Sequence, residues 1–259
     1  MKHIWTNFNA VRNAEVGHFP PISSLPEKEL HEPLPKRFTL LVWNIYKRLG
    51  GEQFDHDLAN LDSRSHISCL QEVLAKKEPH LPTVITSQHL HYGVSYRRQD
   101  GWFEGILSAS RYNMLEDCVA IKSIGREPLT KTPKTALITY LKMEEGQTLL
   151  VVNVHMLLFK SVWLFRQELK QILSDCKKDR HLPAVFCGDF NTFLPWQLTL
   201  LDKILYRDGF YRCKPKHRPR GSRYLDHVYV RGLKLIEMQI VDRVFSSDHF
   251  PLLCELELN

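Results

Sequence analysis

Ala184-Val185-Phe186-Cys187-Gly188-Asp189-Phe190-Asn191 is the stretch that decides the fold of this chain. Its first four residues form a short apolar run bounded by a glycine, which predicts a buried strand. The run stops at a Gly-Asp pair, and an asparagine follows two residues later. Few structural needs explain two polar side chains directly after a buried strand. The stretch therefore predicts a functional turn that carries Asp189 and Asn191.

The same arrangement recurs elsewhere in the chain. Apolar runs typical of strands end in, or lead into, a polar or acidic residue. Strand ends at one edge of a sandwich can converge on a single cleft, where rigid elements hold functional groups. The further cases are Trp43-Asn44, Gln71-Glu72, Asn153-Val154-His155, Leu225-Asp226-His227 and Ser246-Ser247-Asp248-His249.

Taken singly, most of these residues have an ordinary explanation. Asn44 and Asp248-His249 could be turn residues, and Glu72 could be an acid at a helix start. His155 could be a hydrogen-bonded core histidine. Asp226 lies in an apolar strand, where a carboxylate needs a partner. The occurrence of all of them in this order predicts one shared site.

The residue types of this set agree with one chemistry. Carboxylate and asparagine oxygens suit a hard cation such as Mg²⁺ or Mn²⁺. Histidines can donate hydrogen bonds to phosphate oxygens, and a neighbouring carboxylate can fix the tautomer of such a histidine. The set therefore indicates attack of water on a phosphorus centre, promoted by positioning and charge stabilisation.

The remaining pattern predicts many strands and few helices. Helices are expected over about 53–62, 161–176 and 195–205, and Asp100-Gly101 predicts a hairpin. This mix suggests two packed sheets with helices outside them. Residues 1–37 contain five prolines and are expected to form an irregular arm, packed or loose, that precedes a catalytic domain over 38–259. The aromatic residues of this arm favour packing: Trp5, Phe8 and Phe19.

The ordered set resembles the endonuclease/exonuclease/phosphatase superfamily, which includes DNase I. The resemblance runs from about Phe38 to the C-terminus. It implies a four-layered α/β sandwich of the DNase I-like type, in which two packed mixed β-sheets are flanked by helices. Three further segments look like the bacterial YafD-like subgroup: Val42-Trp43-Asn44-Ile45-Tyr46-Lys47, Gly105-Ile106-Leu107-Ser108 and Tyr229-Val230-Arg231-Gly232-Leu233.

The resemblance also implies roles for the site residues. Glu72 would bind the metal ion, with Asn44 beside it and Asp248 near it or at a second metal position. Asp189 would orient or deprotonate the attacking water. The other expected catalytic residues would act on the phosphate: Asn191 holding it, His249 donating to it with Asp226 as orienting group, and His155 contacting it from the other side.

Charge indicates an anionic substrate. The chain has a formal net charge of +6. Basic residues cluster just before the Asp226 strand, and a solvated loop is the alternative explanation for them. Trp163, Phe165 and Trp196 could face bases or lipid, or could pack in the core. The residues expected to bind substrate are Lys216, Arg218, Arg220 and Arg223.

Three functions remain open at this point. The favoured one is a Mg²⁺-dependent nuclease acting on DNA or RNA. The alternatives are a phosphoesterase on phospholipid or phosphoinositide headgroups, and a non-catalytic phosphate-binding module. The chain has six cysteines without a CxxC pair and shows no secretory signal or membrane span, which favours a reduced, cytoplasmic protein. The sequence does not indicate the oligomeric state.

Overall fold

Two β-sheets form the centre of the protein. The computed structural model describes residues 14–15, 22–24, 32–76, 79–86, 88–158, 160–217, 219 and 225–259. The strands are β1 (Ile22–Ser24), β2 (Arg37–Asn44), β3 (Ile67–Ala75), β4 (His89–Arg97), β5 (Phe103–Ser110), β6 (Met114–Lys122), β7 (Thr135–Lys142), β8 (Thr148–His155), β9 (Ala184–Asp189), β10 (Tyr211–Arg212), β11 (Asp226–Arg231), β12 (Leu233–Ile240) and β13 (Leu252–Leu258).

Both sheets are mixed. The first sheet has seven strands in the order β1-β4-β5-β3-β2-β13-β12, and the second has six in the order β10-β11-β9-β8-β7-β6. One parallel pair lies in each sheet, β2 with β3 and β8 with β9, and the other pairs are antiparallel.

Helices cover the outer faces of the sheets. They are α1 (Gly51–Ser63), α2 (Thr83–Thr86), α3 (Val162–Asp175) and α4 (Pro195–Arg207). Ser161 caps α3, since its side chain accepts a hydrogen bond from the Leu164 backbone N–H. None of the helices in the described part of the chain is long and apolar enough to cross a membrane.

Three apolar clusters separate four layers. The inner cluster lies between the sheets and joins side chains such as Val42 and Cys69 to Val185 and Val228. A second cluster packs β7, β8 and β9 against α3 and α4, and a third packs β2, β3 and β5 against α1. Helix, sheet, sheet and helix therefore follow one another, and the predicted four-layered sandwich is confirmed.

Strand register brings the polar strand ends to one edge of the molecule. Asn44 is level with Gln71 in the first sheet. Asp189 is level with both His155 and Asp226 in the second sheet. Because both parallel pairs end at this edge, the groups that follow the strands gather over the junction of the two sheets.

A buried polar pair ties the sheets together beneath this edge. The Gln71 Nε2 group donates to Asn153 Oδ1 at 2.7 Å, and Asn153 Nδ2 donates to the Leu107 carbonyl at 2.9 Å. Both amide side chains are fully buried. Such bonds fix the sheets relative to each other, since breaking one would leave a buried polar group unpaired.

Residues outside the predicted domain also pair with it. Ile22–Ser24 pairs with β4, Glu15 forms a bridge with Arg97, and the buried Leu34 forms a bridge with Met143. Trp5, Phe8 and Phe19 lie outside the described residues. The boundary at residue 37 stays a prediction. The predicted hairpin at Asp100-Gly101 joins β4 to β5, with φ of 84° at Gly101.

Substitution of Gly188 tests the close packing of β9 against β8. Gly188 has a φ of +128°, and a Cβ there would lie 2.1 Å from the Val154 carbonyl oxygen. We expect Gly188→Ala to lower the free energy of unfolding by about 3 kcal/mol or more, because strain and a backbone clash add. Urea unfolding followed by circular dichroism measures the loss.

Gly146→Ala is the matched control. Gly146 has φ of +77° in an exposed turn, and a Cβ there meets no atom within 4 Å. Its substitution should cost only the conformational penalty of about 1–2 kcal/mol. Equal losses in the two variants would contradict the tight approach of β8 to β9.

Candidate active site

Asp189 lies at the centre of the strand-end cluster. It is 1% exposed. Its Oδ1 accepts the Asn191 backbone N–H at 2.9 Å, and its Oδ2 accepts Asn44 Nδ2 at 3.1 Å. Burial, reinforced by the charge of Asp226, raises the pKa of Asp189 to about 6 against the opposing effect of His249. The carboxylate is therefore a stronger base than an exposed aspartate.

His249 forms a charged pair with Asp226 across the two sheets. Its Nδ1 donates to Asp226 Oδ2 at 2.7 Å, and its Nε2 lies 4.0 Å from Asp189 Oδ2. Burial opposes the imidazolium form, but the carboxylates of Asp226 and Asp189 outweigh it and raise the pKa of His249 to about 10. Trp43 Nε1 donates to the His249 carbonyl at 2.9 Å and so fixes its backbone.

His155 has the opposite protonation state. Its Nε2 lies 3.5 Å from Asp189 Oδ2 and 3.9 Å from Glu72 Oε1. Burial and the ammonium group of Lys134 hold the pKa of His155 well below its ordinary value of 6.5. Near neutral pH the site therefore contains one neutral and one cationic histidine, and both lie within 4.0 Å of the same carboxylate oxygen, Asp189 Oδ2.

Glu72 is held by two ammonium groups. Lys47 Nζ donates to Glu72 Oε2, and Lys134 Nζ lies 3.6 Å from Oε1. Burial alone would raise the pKa of Glu72, but the charges of Lys47, Lys134 and His155 hold it far below its ordinary value. Lys47 also lies 3.7 Å from the buried carboxylate of Glu104. Glu72 is thus a carboxylate whose surroundings supply positive charge.

Asn191 and Asp248 complete the predicted set. Asn191 Nδ2 donates to the Met156 carbonyl at 2.7 Å, which fixes its side chain beside Asp189. Asp248 precedes His249 in the loop between β12 and β13. Partial burial raises the pKa of Asp248, and the charge of Glu72 acts in the same direction. The carboxylates of Asp248 and Glu72 are therefore close enough for the charge of one to affect the pKa of the other.

Backbone strain is concentrated at the site. Residues other than glycine rarely adopt positive φ, and strained backbone clusters at functional sites. In the described residues seven do so, and five of them lie at the site, four after the ends of β2 and β9 and one within β3, where its pairing with β5 is irregular between Gln71 and Val73. These five are Tyr46, Lys47, Arg48, Glu72 and Asn191.

Several donors could hold a divalent cation. Ligand atoms of Asp189, Asp226 and His249 all lie within 4.8 Å of one another, a grouping that differs from the predicted ligands Asn44, Glu72 and Asp248. The cationic ring of His249 has no free lone pair, so this grouping offers a cation only its two carboxylates. Asp226 Oδ1 is buried without a hydrogen-bond partner among the described residues. Glu72, whose carboxylate pairs with the Lys47 ammonium group, is a second position that attracts positive charge. The oxygen-rich donors fit a hard cation.

Three charged contributors were not assigned from sequence. Lys47 is part of the motif after β2, and Lys134 ends a short basic segment, but neither pattern reveals the contact with Glu72. Glu104 lies within β5 and carries no local signal. Long-range pairing alone brings these three side chains together.

The residues expected to bind substrate are only partly described. Lys216 is exposed and lies 3.5 Å from Glu237. Arg218, Arg220 and Arg223 lie outside the described residues, so their role stays a prediction. Of the aromatic candidates, Phe165 is buried and Trp196 is half-buried. Trp163 is 64% exposed.

Comparison with curated proteins finds bacterial relatives. A UPF0294 protein of Vibrio parahaemolyticus is 27% identical over 224 residues, which cover 85% of this chain and 78% of the relative. A UPF0294 protein of Vibrio cholerae is 29% identical over 247 residues, covering 90% and 82%.

Solved structures share the fold. An endonuclease/exonuclease/phosphatase from Beutenbergia cavernae superposes with a TM-score of 0.70 at 16% identity, covering 86% of this chain and 72% of its own. The human nocturnin catalytic domain gives 0.64 at 16% identity, covering 93% and 97%. ANGEL2, described as a 2′,3′-cyclic phosphatase, gives 0.67 at 15% identity, covering 93% and 98%.

A family model identifies the chain more directly. The model of the endonuclease/exonuclease/phosphatase family matches residues 41–249. This range contains Asn44, Asp189 and His249, the residues around which the site is built. The match covers most of the chain and agrees with the two-sheet fold. The protein belongs to the endonuclease/exonuclease/phosphatase family.

Proposed function

We propose that the protein hydrolyses phosphodiesters by water attack on phosphorus, with the help of a divalent cation. One observation carries the proposal. The buried carboxylate of Asp189, with a pKa of about 6, lies between the cationic His249 and the neutral His155. Titratable groups whose pKa values are pushed apart mark acid–base assignments in active sites.

Asp189 is the proposed base. Its Oδ1 is engaged by the Asn191 backbone, and its Oδ2 is the oxygen that faces both histidines. A water molecule held there would lose its proton to a carboxylate matched to neutral pH. The Asn44 and Asn191 hydrogen bonds fix the direction of the carboxylate, so that the attacking oxygen is positioned before reaction.

His249 is the proposed donor to the phosphate. The hydrogen bond to Asp226 uses Nδ1 of the imidazolium ring, so the Nε2–H group does not take part in it. Asp226 therefore orients the ring and maintains its charge, while Nε2 can stabilise negative charge on a phosphoryl oxygen. His155, neutral and on the other side of Asp189, would contact the phosphate through a single N–H. The Asn191 amide would help to hold the same group.

The proposed cation is Mg²⁺ or Mn²⁺. Glu72 is the proposed ligand, with Asn44 and Asp248 in support. Such an ion neutralises phosphate charge and lowers the pKa of a water molecule bound to it. Lys47 and Lys134 already balance the charge of Glu72. They would remain available to oxygen atoms of the phosphate.

Nucleic acid is the proposed substrate, because the chain is basic and Lys214–Lys216 leads toward the Asp226 strand. A phospholipid or phosphoinositide phosphoester is the second candidate, favoured by exposed aromatic side chains such as Trp163. A non-catalytic phosphate-binding module is the third. Membership of the YafD-like subgroup and a cytoplasmic location stay predictions.

Metal removal tests the reaction class. With plasmid DNA, RNA or bis-p-nitrophenyl phosphate as substrate, we expect EDTA to abolish hydrolysis and excess Mg²⁺ or Mn²⁺ to restore it, because the cation supplies charge stabilisation. Phosphodiester cleavage is measured by gel or absorbance. Undiminished turnover in chelator would refute the cation requirement. Absence of turnover with every substrate and metal would favour the binding module.

Two substitutions test the assigned roles. Asp189→Asn removes the base, and His249→Ala removes the cationic donor. Each should reduce kcat by at least about 10²-fold, the usual effect of losing such a group. Lys234→Met, on an exposed residue at the start of β12 and at the far end of that strand from the strand-end cluster, is the control and should leave kcat unchanged. Rates near those of the wild type in both site variants would contradict the assignment.

The charge of His249 can be measured directly. In the wild type its pKa should lie near 10, since Asp226 and Asp189 outweigh burial. Asp226→Asn keeps an acceptor but removes one charge, so the pKa of His249 should fall. NMR titration of the imidazole resonances measures both values. An unchanged pKa in the variant would show that Asp226 does not maintain the imidazolium form.

The raised pKa of His249 also predicts how the stability of the protein depends on pH. The raised pKa means that the His249 contribution is fully present below its unfolded pKa of about 6.5 and is lost as pH rises through about 10. The wild type should therefore exceed Asp226→Asn in stability near pH 7, and the difference should shrink toward pH 10. Thermal melts across this range would reveal it.

A further inference from the structure

Exposed apolar side chains are concentrated at the active-site edge. Among the described residues ten large apolar side chains are exposed, and only three of these, Val119, Tyr206 and Tyr211, lie elsewhere. Isolated exposed apolar residues are ordinary, but a concentration of them indicates an interaction surface. The residues at the active-site edge are Leu49, Ile124, Leu129, Val162, Trp163, Leu194 and Phe245.

Strand register explains why these residues share an edge. Leu49 follows β2, and Leu194 follows β9, beyond Asn44 and Asp189 respectively. The loop of residues 123–134 begins and ends where β6 and β7 are level with the end of β8. Phe245 lies between β12 and β13, where Leu252 is level with Val42. The segments that carry catalytic groups therefore also carry the exposed apolar groups.

The seven side chains form two ridges, one from each sheet. The first ridge is Leu49 and Phe245, whose segments touch where Gly50 lies against Ser246. The second ridge is Ile124, Leu129, Val162, Trp163 and Leu194. Its segments touch where Gly125 lies against Leu164 and where the rings of Phe165 and Trp196 are 6.1 Å apart. The catalytic groups lie between the ridges, at the junction of the sheets.

Positive charge is interleaved with the ridges. The segments 45–50, 123–134, 156–164, 190–195 and 241–250 contain seven Lys or Arg residues and three Asp or Glu residues. Arg126 and Lys131 flank Leu129, and Arg243 lies near Phe245, and all three basic residues are exposed. An apolar surface with basic residues around it is complementary to a bilayer that contains anionic lipid.

We propose that the two ridges dock the protein on the headgroup region of a bilayer containing anionic lipid, with the active site facing the membrane. This arrangement favours the phospholipid phosphoester, the second substrate candidate above, over nucleic acid. Four of the seven side chains are Leu or Val, which neither stack on bases nor form hydrogen bonds. Hydrocarbon accommodates such side chains, and Trp163 suits the interface between headgroups and acyl chains. A groove for single-stranded nucleic acid would instead present aromatic rings along a basic track.

This docking goes beyond the proposed reaction, because it needs neither metal nor turnover. The test is co-sedimentation with vesicles of phosphatidylcholine, with and without phosphatidylserine, in EDTA. Wild-type protein should sediment with the vesicles that contain phosphatidylserine. Trp163→Ser combined with Phe245→Ser should weaken that binding by at least about tenfold, because both ridges lose their largest apolar group.

Matched variants separate docking from general surface effects. Tyr206→Ser combined with Tyr211→Ser removes two aromatic side chains that are 63% and 61% exposed at the opposite end of the sheet. This control should bind vesicles as the wild type does. Trp163→Phe with Phe245→Leu keeps apolar groups and should also retain binding. All variants should keep wild-type melting temperatures and wild-type hydrolysis of bis-p-nitrophenyl phosphate, because neither ridge residue contacts the catalytic groups.

Specific results would overturn the proposal. Failure of the wild type to bind phosphatidylserine vesicles would do so, as would equal loss of binding in the Tyr206/Tyr211 control. Unchanged vesicle binding with weakened binding of a single-stranded oligonucleotide would identify the ridges as a nucleic-acid surface instead. Loss of hydrolysis in chelator leaves these results unaffected, so failure of docking and failure of the proposed reaction are distinguishable.

Discussion

The burial of the Asp189 carboxylate is the constraint on which the rest of the site depends. A buried charge needs hydrogen bonds and opposite charge within reach. Asn44 supplies one bond from the first sheet, and the Asn191 backbone supplies another from the turn after β9. His249 contributes positive charge from a loop of the first sheet. Since these partners come from both sheets, stabilising this carboxylate also holds the two strand edges together.

Charge balance extends outward from that carboxylate. Asp226 faces His249, and Lys47 and Lys134 face Glu72, so each buried acid has a cationic neighbour. The balance allows several carboxylates to stay ionised in one buried region, which like charges alone would prevent. Positive φ at Lys47, Glu72 and Asn191 indicates that the backbone tolerates strain to place these groups. The apolar layers beneath supply the stability that such strain requires.

The fold separates the groups that carry the proposed chemistry from the surface that would meet the substrate. Strand ends and the buried Gln71–Asn153 pair hold the reacting groups rigidly. The loops beyond them carry Trp163, Phe245 and the basic residues, and loops can vary without loss of the core. Family membership therefore indicates phosphoester chemistry, whereas the loops must decide which phosphoester reaches it. The composition of these loops is the reason to consider a membrane surface.

Local pattern was enough to predict the strands, the main helices and the polar groups at the strand ends, because period and turn chemistry are properties of neighbouring residues. The Gly188-Asp189 turn and the helix expected over about 161–176, observed as Val162–Asp175, are examples. The short strands β1 and β10 were not predicted, because their pairing partners rather than their own residues define them.

The sequence by itself thus determined which groups could do chemistry, through residue type and order along the chain. Only the tertiary structure decided their charge states and partners. His155 and His249 look alike as residues, yet burial beside Lys134 keeps one neutral while Asp226 keeps the other cationic. Trp163 and Phe165 lie two residues apart, yet one is exposed and one is buried. Such differences arise from contacts between distant segments, which no local pattern records.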